Sequence, residues 1–354
     1  MHTGPADAVR ERIRTQGPIT FATFMELALY GPGGFYETPP VGARGDFVTS
    51  PHVHPAFGVF VARALEQLGA ALDGDGPLRL AEVGAGDGTL ARQILGTGGD
   101  PGFAYTAVEV SPGARRALAA IEGLDVAERL HPPNDLVLAH ELLDNLPFRL
   151  IRHGLEVRVG LGERDELVER PTEIDAELRD LLGGADVAGE LVVPVGAFAF
   201  VDELRAALEI GYALLIDYGA DDGSGGPAHG YQEHHVVEDL LGEPGATDIT
   251  AGVDFGWIAR HAAARGFQAF ATVRQQDALI ALGFEPWFHE ELAIQQQQLA
   301  GGQGIEAVRT WSMRSRATML VDPGALGRMR WLVLATPGLP EPAWSRAPHD
   351  LRRG

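Results

Sequence analysis

Between Leu80 and Leu90 an apolar run, Leu80-Ala81-Glu82-Val83, breaks into Gly84-Ala85-Gly86-Asp87-Gly88 and resumes as Thr89-Leu90. The spacing predicts a buried strand over Leu78–Val83, a tight turn, and a helix from Thr89 to Leu95. Gly84, Gly86 and Gly88 lack the Cβ that would hold the turn's backbone away from a ligand. A second apolar strand is predicted over Phe103–Val108, and it ends at Glu109 about twenty residues past the turn, where a carboxylate can accept both hydroxyls of a ribose. Strand, glycine turn, helix and distal acid together describe a nucleotide cradle in an α/β sheet.

The turn's grammar separates two enzyme classes. In a dinucleotide fingerprint the third small residue would fall at position 89, which holds Thr89, so hydride transfer is disfavoured. What stands is Glu-x-Gly-x-Gly-x-Gly, with Glu82 before the turn. It resembles motif I of the class I methyltransferases, which bind S-adenosylmethionine. That ligand has a sulfonium and an ammonium but no pyrophosphate, so carboxylates such as Glu82 and Asp87 suit its charge.

Composition removes other chemistries. The 354 residues include no cysteine and no lysine, which excludes disulfides, thiolate metal sites, a cysteine nucleophile and a Schiff-base lysine. A net charge of −21 argues against broad nucleic-acid or anionic-membrane binding, which needs a cationic field. No apolar stretch is long enough to cross a bilayer, and Met1–Arg14 is too polar for a secretory leader; the expected location is cytoplasmic. No helical His-Glu-x-x-His pattern accompanies the scattered histidines, so no metal site is expected.

From Leu78 the chain alternates predicted strands and helices, with later strands at Leu124–Val126, Asp135–Ala139, Tyr212–Asp217 and Trp331–Ala335. Such alternation implies a parallel sheet wrapped by helices. Phe21 to Tyr30 reads as one helix, Phe267 to Thr272 as one strand, and the glycine-rich stretch after Gly219 as a loop. The expected organisation is a helical cap with a cofactor-cleft loop over 1–77, a core over 78–220 with an insertion at about 149–195, and substrate-side elements with the final strands over 221–354.

Ligands in open α/β sheets sit beyond the carboxyl ends of strands. His140, Glu141 and Asp144 follow the fourth core strand, where a carboxylate pair can orient a guanidinium or amine and His140 is a candidate base. Asp217 and Tyr218 end the fifth strand and face the same side.

The ordered series Gly45-Asp46-Phe47-Val48-Thr49-Ser50-Pro51, Glu82 to Thr89, Val108-Glu109-Val110-Ser111-Pro112, Glu141-x-x-Asp144-x-Leu146-Pro147, Asp217-Tyr218-Gly219 and Asp248-Ile249-Thr250-x-x-Val253-Asp254-Phe255 resembles the MidA-like methyltransferases, whose mitochondrial members assist assembly of respiratory complex I. The resemblance implies a class I, Rossmann-like sheet of seven strands, with a helical N-terminal cap and further elements over the cleft. It implies S-adenosyl-L-methionine as cofactor, held by Gly45, Asp46, Thr49, Ser50, Glu82, Gly84, Gly86, Gly88 and Glu109, with Glu141, Asp144 and His140 at the reacting centre. N-methylation of protein arginine is the leading expectation. Methylation of a small metabolite or natural-product peptide, or a non-catalytic role as a cofactor-binding assembly factor, are the alternatives. The chain departs from the family where an acceptor would enter: His140 replaces an asparagine, His52 an acid and Gly252 a histidine, while Gln232, Glu233 and His235 fill an arginine-rich stretch.

Overall fold

Apolar runs of four to ten residues in this chain pair as neighbours, because each is apolar on both faces and needs cover on both. In the computed structural model, which describes residues 4–37, 49–74, 76–96, 102–183, 187–221, 225–232 and 235–346, Leu78–Val83 (β1), Phe103–Val108 (β2), Leu124–Ala127 (β3), Asn134–His140 (β4) and Leu208–Asp217 (β5) form a parallel sheet in the order β5, β4, β1, β2, β3. Two antiparallel strands extend the β5 edge: Gln268–Ala269 (β6) lies outside Arg330–Ala335 (β7), which pairs with β5. This is the expected class I arrangement. The single strand expected over Phe267 to Thr272 is instead two short pieces, β6 and Val273–Arg274, both paired with β7. Between them Phe270 turns into the core and Thr272 Oγ1 donates to Asp221 Oδ1 at 2.5 Å, which interrupts the ladder.

Helices cover both faces. Ala56–Gly69 lays Phe57, Phe60 and Leu65 against Tyr212 and Trp331 on one side, and Val195–Ala207 with Phe255–Ala264 packs Val201, Leu204 and Ile258 against Leu215 on the other. Truncating a fully buried aromatic such as Phe57 is expected to cost about 3–5 kcal/mol.

A second layer sits over the carboxyl edge. Ile19–Thr20 pairs with Leu155–Leu161, joining the N-terminal segment to a sheet that includes Arg149–Arg152, Leu167–Thr172 and Glu190–Val193. Its core holds Phe21, Phe24, Leu150 and Val157, with Phe21 stacked on Phe148 at 5.5 Å. The helix expected over Phe21 to Tyr30 is α-helical to Met25 and widens to a π-helix over Glu26–Tyr30. Beyond Pro227 the chain forms a small antiparallel sheet of His229–Gln232, His235–Val237 and Asp248–Thr250, where only a loop was foreseen as far as Pro227. Among the described residues no helix is long and apolar enough to cross a membrane.

The register sets the site. Val83 lies beside Val108 and Ala139, and His140 beside Ile216, so four strand ends deliver their following residues to one edge.

Candidate active site

The turn after β1 is left-handed at three positions, with φ of 75° at Gly84, 56° at Gly86 and 75° at Gly88. A Cβ at Gly88 would come within 2.5 Å of Ile121 Cδ1, whereas one at Gly86 would meet nothing within 4 Å, so Gly86 opens onto free space. That space is a cavity of about 360 Å³ lined by Val83, Gly84, Gly86, Glu109, Ser111 and Glu141 among others. Glu109 is buried at its wall; Oε2 accepts the Gly86 amide at 3.0 Å and Oε1 the Ser111 amide at 2.9 Å, tying the turn to the end of β2. Each carboxylate oxygen retains a lone pair for a hydroxyl donor.

Glu82 lies beneath the turn rather than in this cavity. Tyr105 donates to its Oε2 at 2.6 Å, and burial, against that bond, pushes its pKa up to about 7. Burial also pushes Asp87 up, but hydrogen bonds from His52 (3.0 Å) and the Thr89 amide (2.9 Å) outweigh it and hold the pKa below the usual carboxylate range. His52 in turn contacts Thr49 Oγ1 at 2.8 Å, so Thr49, His52, Asp87 and Thr89 form one polar chain beside Glu82 and Gly86.

A second cavity, about 370 Å³, adjoins the first through Tyr36, Glu141 and Asn145 and is walled by Asp144, Tyr218, His229, Asp248, Thr250 and Arg328. Glu141 adopts φ 50°, an unusual value for a non-glycine residue that marks the sharp exit from β4. Its side chain accepts a long contact from the Ser50 amide, 3.4 Å, and burial pushes its pKa up to about 8, helped by the charge of Asp144. Asp144 Oδ2 accepts from Thr250 Oγ1 at 3.1 Å, while Oδ1 is buried without a partner; burial raises this acid to about 6. Asp217, fully buried, holds the exit loop by accepting from the amides of Leu142, Leu143 and Tyr218 at 2.7–3.1 Å. Asp248 takes the Tyr36 hydroxyl at 2.7 Å and Asn145 Nδ2 at 3.0 Å.

A family model described as S-adenosyl-L-methionine-dependent methyltransferase matches residues 56–273. The chain belongs to this methyltransferase family. The mitochondrial protein arginine methyltransferase NDUFAF7 homolog of Drosophila melanogaster is 28% identical over 94% of this chain and 85% of its own length. Its Danio rerio counterpart is 28% identical over 71% of this chain and 70% of its own. A crystal structure of a methyl transferase candidate from Burkholderia thailandensis, bound to S-adenosyl-homocysteine, superposes with a TM-score of 0.82 at 24% identity, covering 97% of this chain and 94% of that one. The expectation of a cytoplasmic protein is overturned by the curated relatives, which are named mitochondrial.

S-adenosylmethionine is the cofactor of this methyltransferase, and the cradle fits it: Gly86 presents bare backbone to free space, and Glu109 stands at the same wall. Two expected cofactor residues, Gly45 and Asp46, lie outside the described residues. Ser50 does not reach the cofactor side with its hydroxyl, which is fully buried against Gln275 and Met329; only its amide faces the site. Helix formation at Ser50–Val53 turns the side chain inward. His140 is brought next to Glu141, with Nε2 3.2 Å from Oε1, yet makes no hydrogen bond there. The ring packs on Phe57, and burial lowers its pKa to about 3, which disfavours its protonated form. Tyr36, Asn145, Asp248 and Arg328 were given no role from the sequence; the available signals were an aromatic pair, Phe35-Tyr36, set between proline- and glycine-rich turns, and the place of Asp248 in the run Asp248-Ile249-Thr250.

Proposed function

We propose that this methyltransferase modifies a guanidinium nitrogen of protein arginine, in the cavity walled by Glu141 and Asp144. The observation that carries the reading is a cavity walled by three acids, Glu141, Asp144 and Asp248, in which Asp144 also keeps a buried Oδ1 that has no hydrogen-bond partner among the described residues. A buried acid oxygen without a donor is costly, and a planar cation with several N–H groups is the ligand that satisfies it. The arginine acceptors in the names of the curated relatives support the same choice.

S-adenosylmethionine supplies the methyl group, its sulfur taking the bonding pair as the acceptor nitrogen forms the new N–C bond. Asp144 and Glu141 hold the guanidinium so that one nitrogen faces the cofactor cavity, which Glu141 also lines, and this turns an encounter into an aligned displacement. Glu141 binds a proton up to about pH 8. A cation beside it lowers that value, so Glu141 ionises as the acceptor docks and then takes the proton that the methylated nitrogen releases. Tyr36, stacked on Tyr30 at 5.4 Å, lines both cavities.

The test is mass spectrometry of a cell lysate incubated with enzyme and isotopically labelled cofactor. Label on arginine side chains of one or a few proteins is the expected result; label confined to small molecules or to other residue types overturns the reading.

A further inference from the structure

Next to the acceptor cavity lies a second one of opposite charge. Arg274 and Arg330 are direct cross-strand partners, because Val273–Arg274 pairs antiparallel with β7 in that register. Like charges placed opposite each other weaken a ladder, so the pair calls for a counter-charge. Arg328 joins them two residues before Arg330, its guanidinium carbon 5.9 Å from the centroid of the Tyr218 ring. With Tyr218, Gly219, Ala220 and Pro323 the three arginines line a cavity of about 420 Å³.

Among the described residues little neutralises them. Asp221 Oδ2 is 3.7 Å from Arg330 Nε, and its other oxygen is taken by Thr272. Arg330 Nε is buried without a hydrogen-bond partner. Among the described residues neither Arg274 nor Arg328 forms an ion pair. In a chain with 49 acids against 28 arginines, three cations around one cavity run against the overall balance. Tyr218 and Arg328 also wall the acceptor cavity, so a molecule seated there extends directly past them.

We propose that the cavity of Arg274, Arg328 and Arg330 binds a carboxylate of the methyl acceptor, so that the enzyme selects arginines accompanied by an acidic group. The proposal rests on the arginine reading above. Glu141 and Asp144 then hold the cation of the acceptor and the three arginines its anion, which fixes the direction in which the acceptor lies. Guanidinium forks suit carboxylates geometrically, so this subsite acts on binding and leaves the displacement itself to the neighbouring cavity.

The experiment is an acid scan. Peptides with one arginine and a single aspartate moved from four residues before it to four after it are compared with an all-alanine control, and free arginine serves as the arm in which the α-carboxylate is the anion. For wild type, one or two placements are expected to lower KM by about two- to fivefold with kcat little changed, the size of a partly exposed charge pair. In Arg328→Gln and in Arg274→Gln/Arg330→Gln that preference is expected to fall to near unity while the cofactor Kd is kept. A flat scan in wild type, or a preference that survives both variants, overturns the proposal. If no arginine is methylated the arginine reading fails, and the same peptides then decide the subsite by equilibrium binding: a Kd that depends on acid placement and loses that dependence in the variants supports it, and a uniform Kd overturns it.

Discussion

The Gly86 amide donates to Glu109 Oε2 at 3.0 Å, so the turn after β1 and the end of β2 act as one unit. Glu109→Ala removes both the anchor of that turn and the wall of the cofactor cavity. The expected loss is about 1.5–3 kcal/mol of cofactor affinity, or one to two decades in Kd. Calorimetric titration of the folded variant with S-adenosylmethionine checks it, and an unchanged Kd removes Glu109 from the cofactor site.

The two glycines of the turn should fail differently. Both are left-handed, and Gly→Ala at such a position costs about 1–2 kcal/mol. At Gly86 the new methyl enters free space on the cofactor side, so Gly86→Ala is expected to weaken cofactor binding more than folding. At Gly88 it collides with Ile121 and Leu118, so Gly88→Ala is expected to lower the denaturation midpoint further than Gly86→Ala does. Denaturant melts alongside titrations resolve the two; equal midpoints would contradict the packing argument.

Burial pushes Glu82 up to about 7 and Glu141 up to about 8, from ordinary values of 4.5. The folded protein therefore binds these protons more tightly than the unfolded chain does. The stability they contribute is complete below about pH 4.5 and is lost as pH rises through about 7 to 8. Glu141→Gln, which keeps the shape of the protonated acid, should match wild type near pH 5 and melt at a higher temperature near pH 9 in the absence of cofactor. Melting curves at the two pH values are sufficient, and a Tm difference that does not change with pH would refute the raised value.

Burial holds His140 neutral, and the ring rests on Phe57. His140→Asn is expected to keep methyl transfer within about tenfold of wild type, because burial disfavours the protonated ring that a general base would become. A loss of several decades at unchanged cofactor affinity would assign His140 to the chemistry after all.

How far the sequence reaches depends on how local the cause is. The cradle was legible because strand, glycine turn and acid follow one another within thirty residues, Leu80 to Glu109, and obey periodicity and backbone sterics. Glu141 and Asp144 were legible as neighbours of a strand end. The direction of the Ser50 hydroxyl was not legible, because its place in a polar loop says nothing of the short helix that turns it toward Gln275, 225 residues away. Tyr36 meets Asp248 across 212 residues, and Arg274 meets Arg330 only because the strand expected at Phe267 to Thr272 divides in two. Such pairings belong to tertiary structure, and no local pattern announces them.

The most direct test is single-turnover transfer of labelled methyl to an arginine peptide by Glu141→Gln and Asp144→Asn, with cofactor affinity measured on the same preparations. Both acids wall the acceptor cavity, and Asp144 Oδ1 is buried with no hydrogen-bond partner among the described residues. Each variant is expected to lose about two to four decades in transfer rate while its cofactor Kd stays within severalfold of wild type, the range for removing a group that positions an acceptor or takes its proton. Wild-type transfer rates in both variants would contradict the account, leaving Asp144 as a partner of Thr250 and Glu141 as the residue that turns the chain out of β4.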